Sequence, residues 1–238
     1  VLDLTVLRRL ETIRRDFVAN VSHELKTPLT AVSGFAETLL DEGIPAAQRR
    51  QFVETIRENA GRMQRIVDDL LDLSRVESGG WHPSVARVDI ARMVRELFEG
   101  ISHTANAKRL QLTADIPPGA ATANADPLAF RQVLGNLVEN AVRHTAEGGV
   151  TVRSRLGEDG VWLDVLDTGV GIAPEHLPRI FERFYRVDPG RSREQGGTGL
   201  GLAIVRHLVD AHGGRVEAAS VLGRGTTISV LFPGVSEG

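Results

Sequence analysis

The stretch FVANVSHELKTPLTAVSGFAETLL, residues 17–40, decides how this chain is read. Val18, Val21, Leu25, Pro28, Val32, Phe35 and Leu39 recur at spacings of three and four, which predicts a helix with one buried stripe. Set as heptad positions a and d, the stripe places His23 at f, facing directly away from the core. Glu24 follows it, and Thr27 lies one turn on along the same face. Pro28 has no N–H for the carbonyl of Glu24, so the helix should loosen and bend one turn after the histidine. A histidine with an adjacent carboxylate, a hydroxyl one turn away and a local helix defect is a candidate reactive site. A solvated surface histidine explains the same residues.

Upstream, Leu7, Leu10, Ile13 and Phe17 continue the stripe, so one helix is expected from about Thr5 to Asp41. The opening VLDLT reads as the last strand of a preceding segment, and the chain as the C-terminal part of a longer protein. Gly43 to Pro45 breaks the helix. A second stripe follows through Phe52, Ile56, Asn59, Met63, Ile66, Leu70 and Leu73, with Asn59 a polar entry of the kind that fixes coiled-coil register. A hairpin of two such helices cannot enclose a core. It should pair with a second copy, giving a homodimer through a four-helix bundle. A coiled-coil spacer without chemistry would show the same stripes.

Composition sets the outer bounds. The chain has 238 residues, 42% hydrophobic and 25% charged, as in soluble globular proteins of one or two domains. A net charge of −3 gives no pull toward nucleic acid or anionic membrane. The absence of cysteine excludes disulfides and thiolate metal sites. No apolar run nears the ~18 residues that span a bilayer and no signal peptide opens the chain, so membrane contact is expected only through segments upstream.

Past Ser78-Gly79-Gly80 the pattern changes to mixed helix and strand, so two domains are expected to meet near residue 80. Trp81 to Arg87 reads as a linker and edge strand. Asp89 caps a helix to about Ala105, and Leu110 to Ile116 alternates as a strand. Pro117-Pro118-Gly119 marks a turn, and Asp126-Pro127 opens a helix to about His144. Strands are expected over Val150 to Leu156 and Val161 to Leu166, around a Gly-Glu-Asp-Gly turn. A helix near Glu175 to Phe184, a polar loop, a helix from Leu200 to His212 and a terminal hairpin complete the chain. Helices segregated from a largely antiparallel sheet make an α+β sandwich.

Three clusters in this second part carry chemistry. In NLVENAVRHT, Asn136 and Asn140 share a helix face, with Arg143 and His144 one turn on. Asparagine has poor helix propensity, and its carboxamide oxygen suits a hard cation such as Mg²⁺; a pair of surface amides is the plainer reading. In DTGVGIAP, Asp167 ends a strand before Gly169 and Gly171, where a carboxylate can accept from an exocyclic amine and the glycines admit a flat base; a simple turn looks the same. In GGTGLGLAIVRHL, Gly196, Gly197, Gly199 and Gly201 precede an apolar helix, whose N-terminus favours an anion. Arg186, Arg191 and Arg193 precede that loop and add positive charge where a triphosphate would lie. No Walker sequence and no strand-first Gly-x-Gly-x-x-Gly is present.

The order SHELKTPLT, NLVENAVRHT, DTGVGI, FERFYRVD and GTGLGL resembles the H, N, G1, F and G2 boxes of the sensor histidine kinases of two-component systems, over roughly residues 15 to 232. DLTVLRRLETIRRDFVANVSHE further resembles kinases in which a PAS sensor feeds directly into the dimerisation helix, as in phosphate-sensing types. The resemblance implies a signal-transmitting linker helix over residues 1–15, a dimerisation and phosphotransfer hairpin over 16–80, and a Bergerat-type ATP-binding domain over 81–238. Carried over by position, it makes His23 the phosphoacceptor, Glu24 its acid/base partner and Thr27 the residue tied to phosphatase activity. Asn140 would bind Mg²⁺, with Asn136 in the same pocket. Arg143, lysine in many relatives, and Arg186 would contact phosphate. His144 stands where many relatives have an aromatic residue. Asp167 would hold the adenine amine beside Gly169 and Gly171. Gly197, Thr198, Gly199, Leu200 and Gly201 would form the nucleotide-side loop and lid hinge, anchored by Phe181 and Phe184.

The activity implied is transfer of the γ-phosphoryl group of ATP to His23 and then to an aspartate of a response-regulator receiver domain, with hydrolysis of that aspartyl phosphate on the same helical face. The location implied is the cytoplasmic portion of a larger bacterial sensor. A relative using this ATP fold for conformational work would account for the three clusters but not for the histidine hairpin; a non-catalytic dimeric scaffold that binds nucleotide only to signal is the second alternative.

Overall fold

The computed structural model describes residues 4–41, 43–77, 81–188 and 197–234. Helix α1 (Leu4–Thr38) runs unbroken through Pro28, and α2 (Ala46–Glu77) returns beside it. Leu4 and Thr5 are helical, so the strand read into VLDLT does not reach them; residues 1–3, and the side chains of Leu7, Leu10, Ile13 and Phe17, lie outside the described ones. The two stripes meet as expected. Pro28, Ile66 and Leu73 are buried, and Phe35 stacks on Phe52 with ring centroids 5.1 Å apart near the hairpin's closed end. One chain leaves part of the hairpin uncovered: Val18, Leu29, Val53, Val67 and Leu71 are exposed.

The remaining chain builds a main sheet with helices on a single face. A five-stranded sheet has the order β2 (Gln111–Asp115), β4 (Gly149–Gly157), β5 (Gly160–Asp167), β7 (Gly225–Pro233), β6 (Arg215–Val221). Only the β2–β4 pairing is parallel. Helices α3 (Ile90–Ala107), α4 (Pro127–His144) and α5 (Gly201–Ala211) supply the cover. Both predicted caps form: Asp89 accepts from the N–H of Arg92, and Asp126 from those of Leu128 and Ala129. Alternation sends Val150, Val152, Leu163, Val165, Ile228 and Val230 inward against Phe130, Val133, Leu134 and Leu137 of α4. Phe130 lies 4.9 Å from Phe232 between ring centroids and is fully buried, so its truncation to alanine would cost about 3–5 kcal/mol. The outer face is polar, with Asp115–Arg153 and Arg155–Asp164 ion pairs.

Two elements differ from the sequence reading. Strand β3 (Thr122–Ala125) pairs with β1 (Ala86–Asp89) in a separate two-stranded sheet. The helix expected near Glu175 to Phe184 is instead a series of tight turns around a 3₁₀ segment, Leu177–Arg179. Its backbone bonds step three residues: His176 to Ala173, Leu177 to Pro174, Arg179 to His176, Glu182 to Arg179, Tyr185 to Glu182. Pro178 cannot donate to Pro174, and Phe184 gives its N–H to Gly199 across the chain, so an i→i−4 ladder never starts.

The segment leading into β1 is tied down. Ser84 N–H donates to Asp126 Oδ2, and Trp81 packs on His212, whose Nε2 accepts the N–H of Asp126.

Candidate nucleotide and phosphoacceptor site

Helix α4 brings Asn136, Asn140, Arg143 and His144 to one end of the inner sheet face. Its last turn is held by Lys108, whose Nζ donates to the carbonyls of Val142, Arg143 and Thr145. These are the orphan acceptors of a helix end, so a lysine from the end of α3 serves as the C-cap. Burial, reinforced by Arg143 and then Lys108, holds the imidazole of His144 below its usual pKa and keeps it neutral near pH 7. Burial likewise lowers Arg143, whose neighbours Glu139 and Asp69 pull the other way.

Asp167 belongs to the inward row Leu112, Val150, Asp167, Thr226, Ser220 that crosses the sheet, one step beyond the last fully apolar row. Its Oδ1 accepts from the N–H of Gly169 at 2.8 Å and of Thr226 at 3.3 Å. Burial is the largest influence and raises its pKa, while those N–H groups oppose the rise. Val170 N–H donates to His144 O, fastening the Asp167 loop to the end of α4. Gly171 follows with φ +68°. A groove of about 620 Å³ borders Asp167 and runs along Thr113, Thr151 and Thr227, on the sheet face turned away from α4.

The Gly-rich loop meets α4 from the opposite side. Leu200 is buried and gives α5 no side-chain cap, which leaves the helix N-terminus open to an anion. A Cβ on Gly201 would lie 3.1 Å from Asn136 Oδ1, so a larger residue there would push the Asn136 carboxamide aside by a few tenths of an ångström. Gly199 has φ +73°, and its carbonyl accepts the N–H of Phe184. Thr198 Oγ1 accepts from Leu200 N–H and donates to Asp69 Oδ2 of α2 at 2.8 Å. Gly196, Arg191 and Arg193 lie outside the described residues.

His23 is exposed on α1, and Thr27 Oγ1 donates to its carbonyl at 3.2 Å. Glu24 does not face it as an isolated carboxylate. Oε2 of Glu24 is 2.9 Å from Arg62 of α2 and 2.9 Å from Arg186. Arg186 also donates to Gly197 O. The three charged side chains are 15%, 12% and 8% exposed, so solvent screens the cluster little. The helical hairpin and the nucleotide-side loop therefore meet at the neighbour of His23.

A model of the His Kinase A phospho-acceptor domain matches residues 13–79, and one of the histidine kinase-, DNA gyrase B- and HSP90-like ATPases matches 125–236. The chain belongs to the sensor histidine kinases. Its ATP-binding domain is the part that carries Asn136, Asn140, Asp167 and the Gly-rich loop. This histidine kinase is 40% identical over 232 residues to the phosphate regulon sensor protein PhoR of Pseudomonas aeruginosa, covering 97% of the chain and 52% of PhoR. It is 32% identical to full-length ShkA, solved in complex with AMPPNP, with a TM-score of 0.68 over 93% of the chain and 47% of ShkA. ThkA, solved in complex with the response regulator protein TrrA, shares the fold at 22% identity and a TM-score of 0.76, over 95% of the chain and 63% of ThkA. The chain spans about half the length of the curated relatives it matches. Among the described residues, no helix is long and apolar enough to cross a membrane.

Sequence reasoning missed Lys108, Arg62 and Asp69. A basic pair ending α3, at Lys108-Arg109, was the available signal for the first. Nothing local marks the other two, which matter only through contacts across the chain.

Proposed function

We propose that the kinase transfers the γ-phosphoryl group of ATP to a ring nitrogen of His23, and from there to an aspartate of a response-regulator receiver domain. The observation that carries this reading is the bridge from Arg186 to Glu24, which sets the nucleotide-side loop beside the phosphoacceptor helix. His23, Glu24 and Thr27 take the roles of acceptor, acid/base partner and orienter of water for the phosphatase reaction. Asn140 would hold Mg²⁺, with Asn136 beside it. Asn136, whose carboxamide borders the uncapped N-terminus of α5, and Asn140 one turn on along α4 fit a cation bound with polyphosphate. Bound there, Mg²⁺ supplies charge neutralisation of the phosphates.

Arg143 and Arg186 would contact phosphate, and Asp167 would accept from the adenine amine beside Gly169 and Gly171. Gly197, Thr198, Gly199, Leu200 and Gly201 would shape the loop over the phosphates. For transfer, Glu24 must give up an arginine so that its carboxylate can turn to His23, set the tautomer and stabilise the cation that forms. Residues 16–80 form the phosphotransfer unit and 81–238 the catalytic unit, with 1–15 relaying input from a PAS-type sensor. The uncovered Val18, Leu29, Val53, Val67 and Leu71 support a homodimer through the hairpin. The protein would work on the cytoplasmic side, with any membrane contact made by upstream segments.

Incubation with γ-labelled ATP and Mg²⁺ should give acid-labile, base-stable label on the chain and none on His23→Ala. ATP hydrolysis with no labelled protein would overturn the reading.

A further inference from the structure

Arg186 touches both halves of the molecule, yet no helix or strand delivers it. The segment before it is the run of turns from Pro174 to Tyr185, and its one left-handed residue is Phe184, at φ +60°. A phenylalanine in that region is strained, and it is held there by its N–H bond of 2.7 Å to Gly199 O. The reversal at Phe184 turns Tyr185 back onto the 3₁₀ segment and leaves Arg186 pointing forward to Glu24 and Gly197.

Tyr185 is anchored by side chains that the reaction does not use. Its hydroxyl and His176 Nδ1 share a hydrogen bond of 2.7 Å. The Arg179 guanidinium lies 4.3 Å from the centre of its ring and is itself bonded to Glu182 at 3.1 Å. We propose that His176 and Tyr185 are positioning residues, a pin that sets the direction of Arg186 for phosphoryl transfer. This rests on the phosphate-contacting role of Arg186 proposed above. A planar guanidinium must meet its oxygens in a fixed fork, and displacement of about 1 Å at a reacting centre can cost 10²-fold. Adjacent residues share one backbone, so fixing the ring of Tyr185 fixes the root of Arg186.

The test is single-turnover labelling of the full chain with γ-labelled ATP, read as kcat and KM, with the thermal midpoint of each variant as the folding control. Tyr185→Phe deletes one oxygen and should lower kcat about tenfold. His176→Ala should match it, and His176→Gln, which keeps a hydrogen-bonding amide, should recover most of the loss. Combined with Arg186→Lys, Tyr185→Phe should add less than a twofold further effect, because the pin then has nothing left to aim. Wild-type rates in Tyr185→Phe and His176→Ala, with Arg186→Lys impaired, would overturn the pin. So would a full tenfold effect persisting in the Arg186→Lys background. An unimpaired Arg186→Lys would instead remove the role of Arg186 on which the pin rests.

Discussion

Asp167 shows how one residue can be legible in identity and illegible in energetics. Its place at a strand end before glycines marks it in the sequence. That it lies on the inward row, with burial lifting its pKa, comes from pairing with β4 and β7. A carboxyl whose folded pKa is raised adds stability below its unfolded pKa and loses it as pH rises through the folded value. At pH 7 the ionised group is therefore a cost. Asp167→Asn keeps an oxygen for the N–H groups of Gly169 and Thr226 while removing the charge. Denaturation at pH 7 should find the variant at least as stable as the wild type, and that advantage should shrink as the pH falls into the carboxylate range. ATP titration by calorimetry should find affinity reduced about 10- to 100-fold, the equivalent of one charged hydrogen bond.

At the scale of elements, what the sequence showed was local. Both hairpin stripes, the Asp89 and Asp126 caps and the β4–β5 turn follow from neighbours within a few residues. Strand β3 was missed because the buried positions of Thr-Ala-Asn-Ala are only alanines, too small and too poor in strand propensity to mark the alternation, and pairing with the distant β1 is what makes it a strand. The helix expected near Glu175 failed for a related reason: Phe184 spends its N–H on Gly199, which no local window contains. Pro28 is a local feature with a larger consequence. It sits buried inside α1 and leaves the carbonyl of Glu24 without its helical donor. Proline in a helix interior is about 3 kcal/mol worse than alanine, and the lost ring contacts offset part of the gain, so Pro28→Ala should stabilise the chain by about 1–2 kcal/mol in thermal unfolding. If the defect is the switching point, the ratio of autophosphorylation to phosphatase rate will also change. An unchanged ratio would locate the switch elsewhere.

Across the whole molecule, the ATP-binding part rests on α2 through a small apolar contact and a few polar ones. Leu70 and Leu73 join the core where α2 lies against α5, while Thr198 bonds Asp69 and Gln132 bonds Asp72. Burial raises the pKa of Asp69, and Asp72, Glu139 and Asp68 add to the rise against the Thr198 bond. An ionised Asp69 is thus a poor anchor, and inter-domain contacts of this polar kind separate readily. The docked arrangement also engages Arg186 with Glu24; under the roles proposed above, the two must part before the guanidinium meets phosphate and the carboxylate turns to His23. The absence of cysteine allows a direct test, because Asp69→Cys with Thr198→Cys introduces the only two thiols of the chain, and a crosslink within one chain is told from one between protomers by its mass on a non-reducing gel. Oxidation should cut autophosphorylation at least tenfold relative to the same protein in dithiothreitol, with Thr198→Cys alone unaffected by oxidant. An oxidised double variant that labels His23 at the reduced rate would mean that the docked arrangement is the productive one, with Glu24 and Arg186 working as a pair rather than restraining each other.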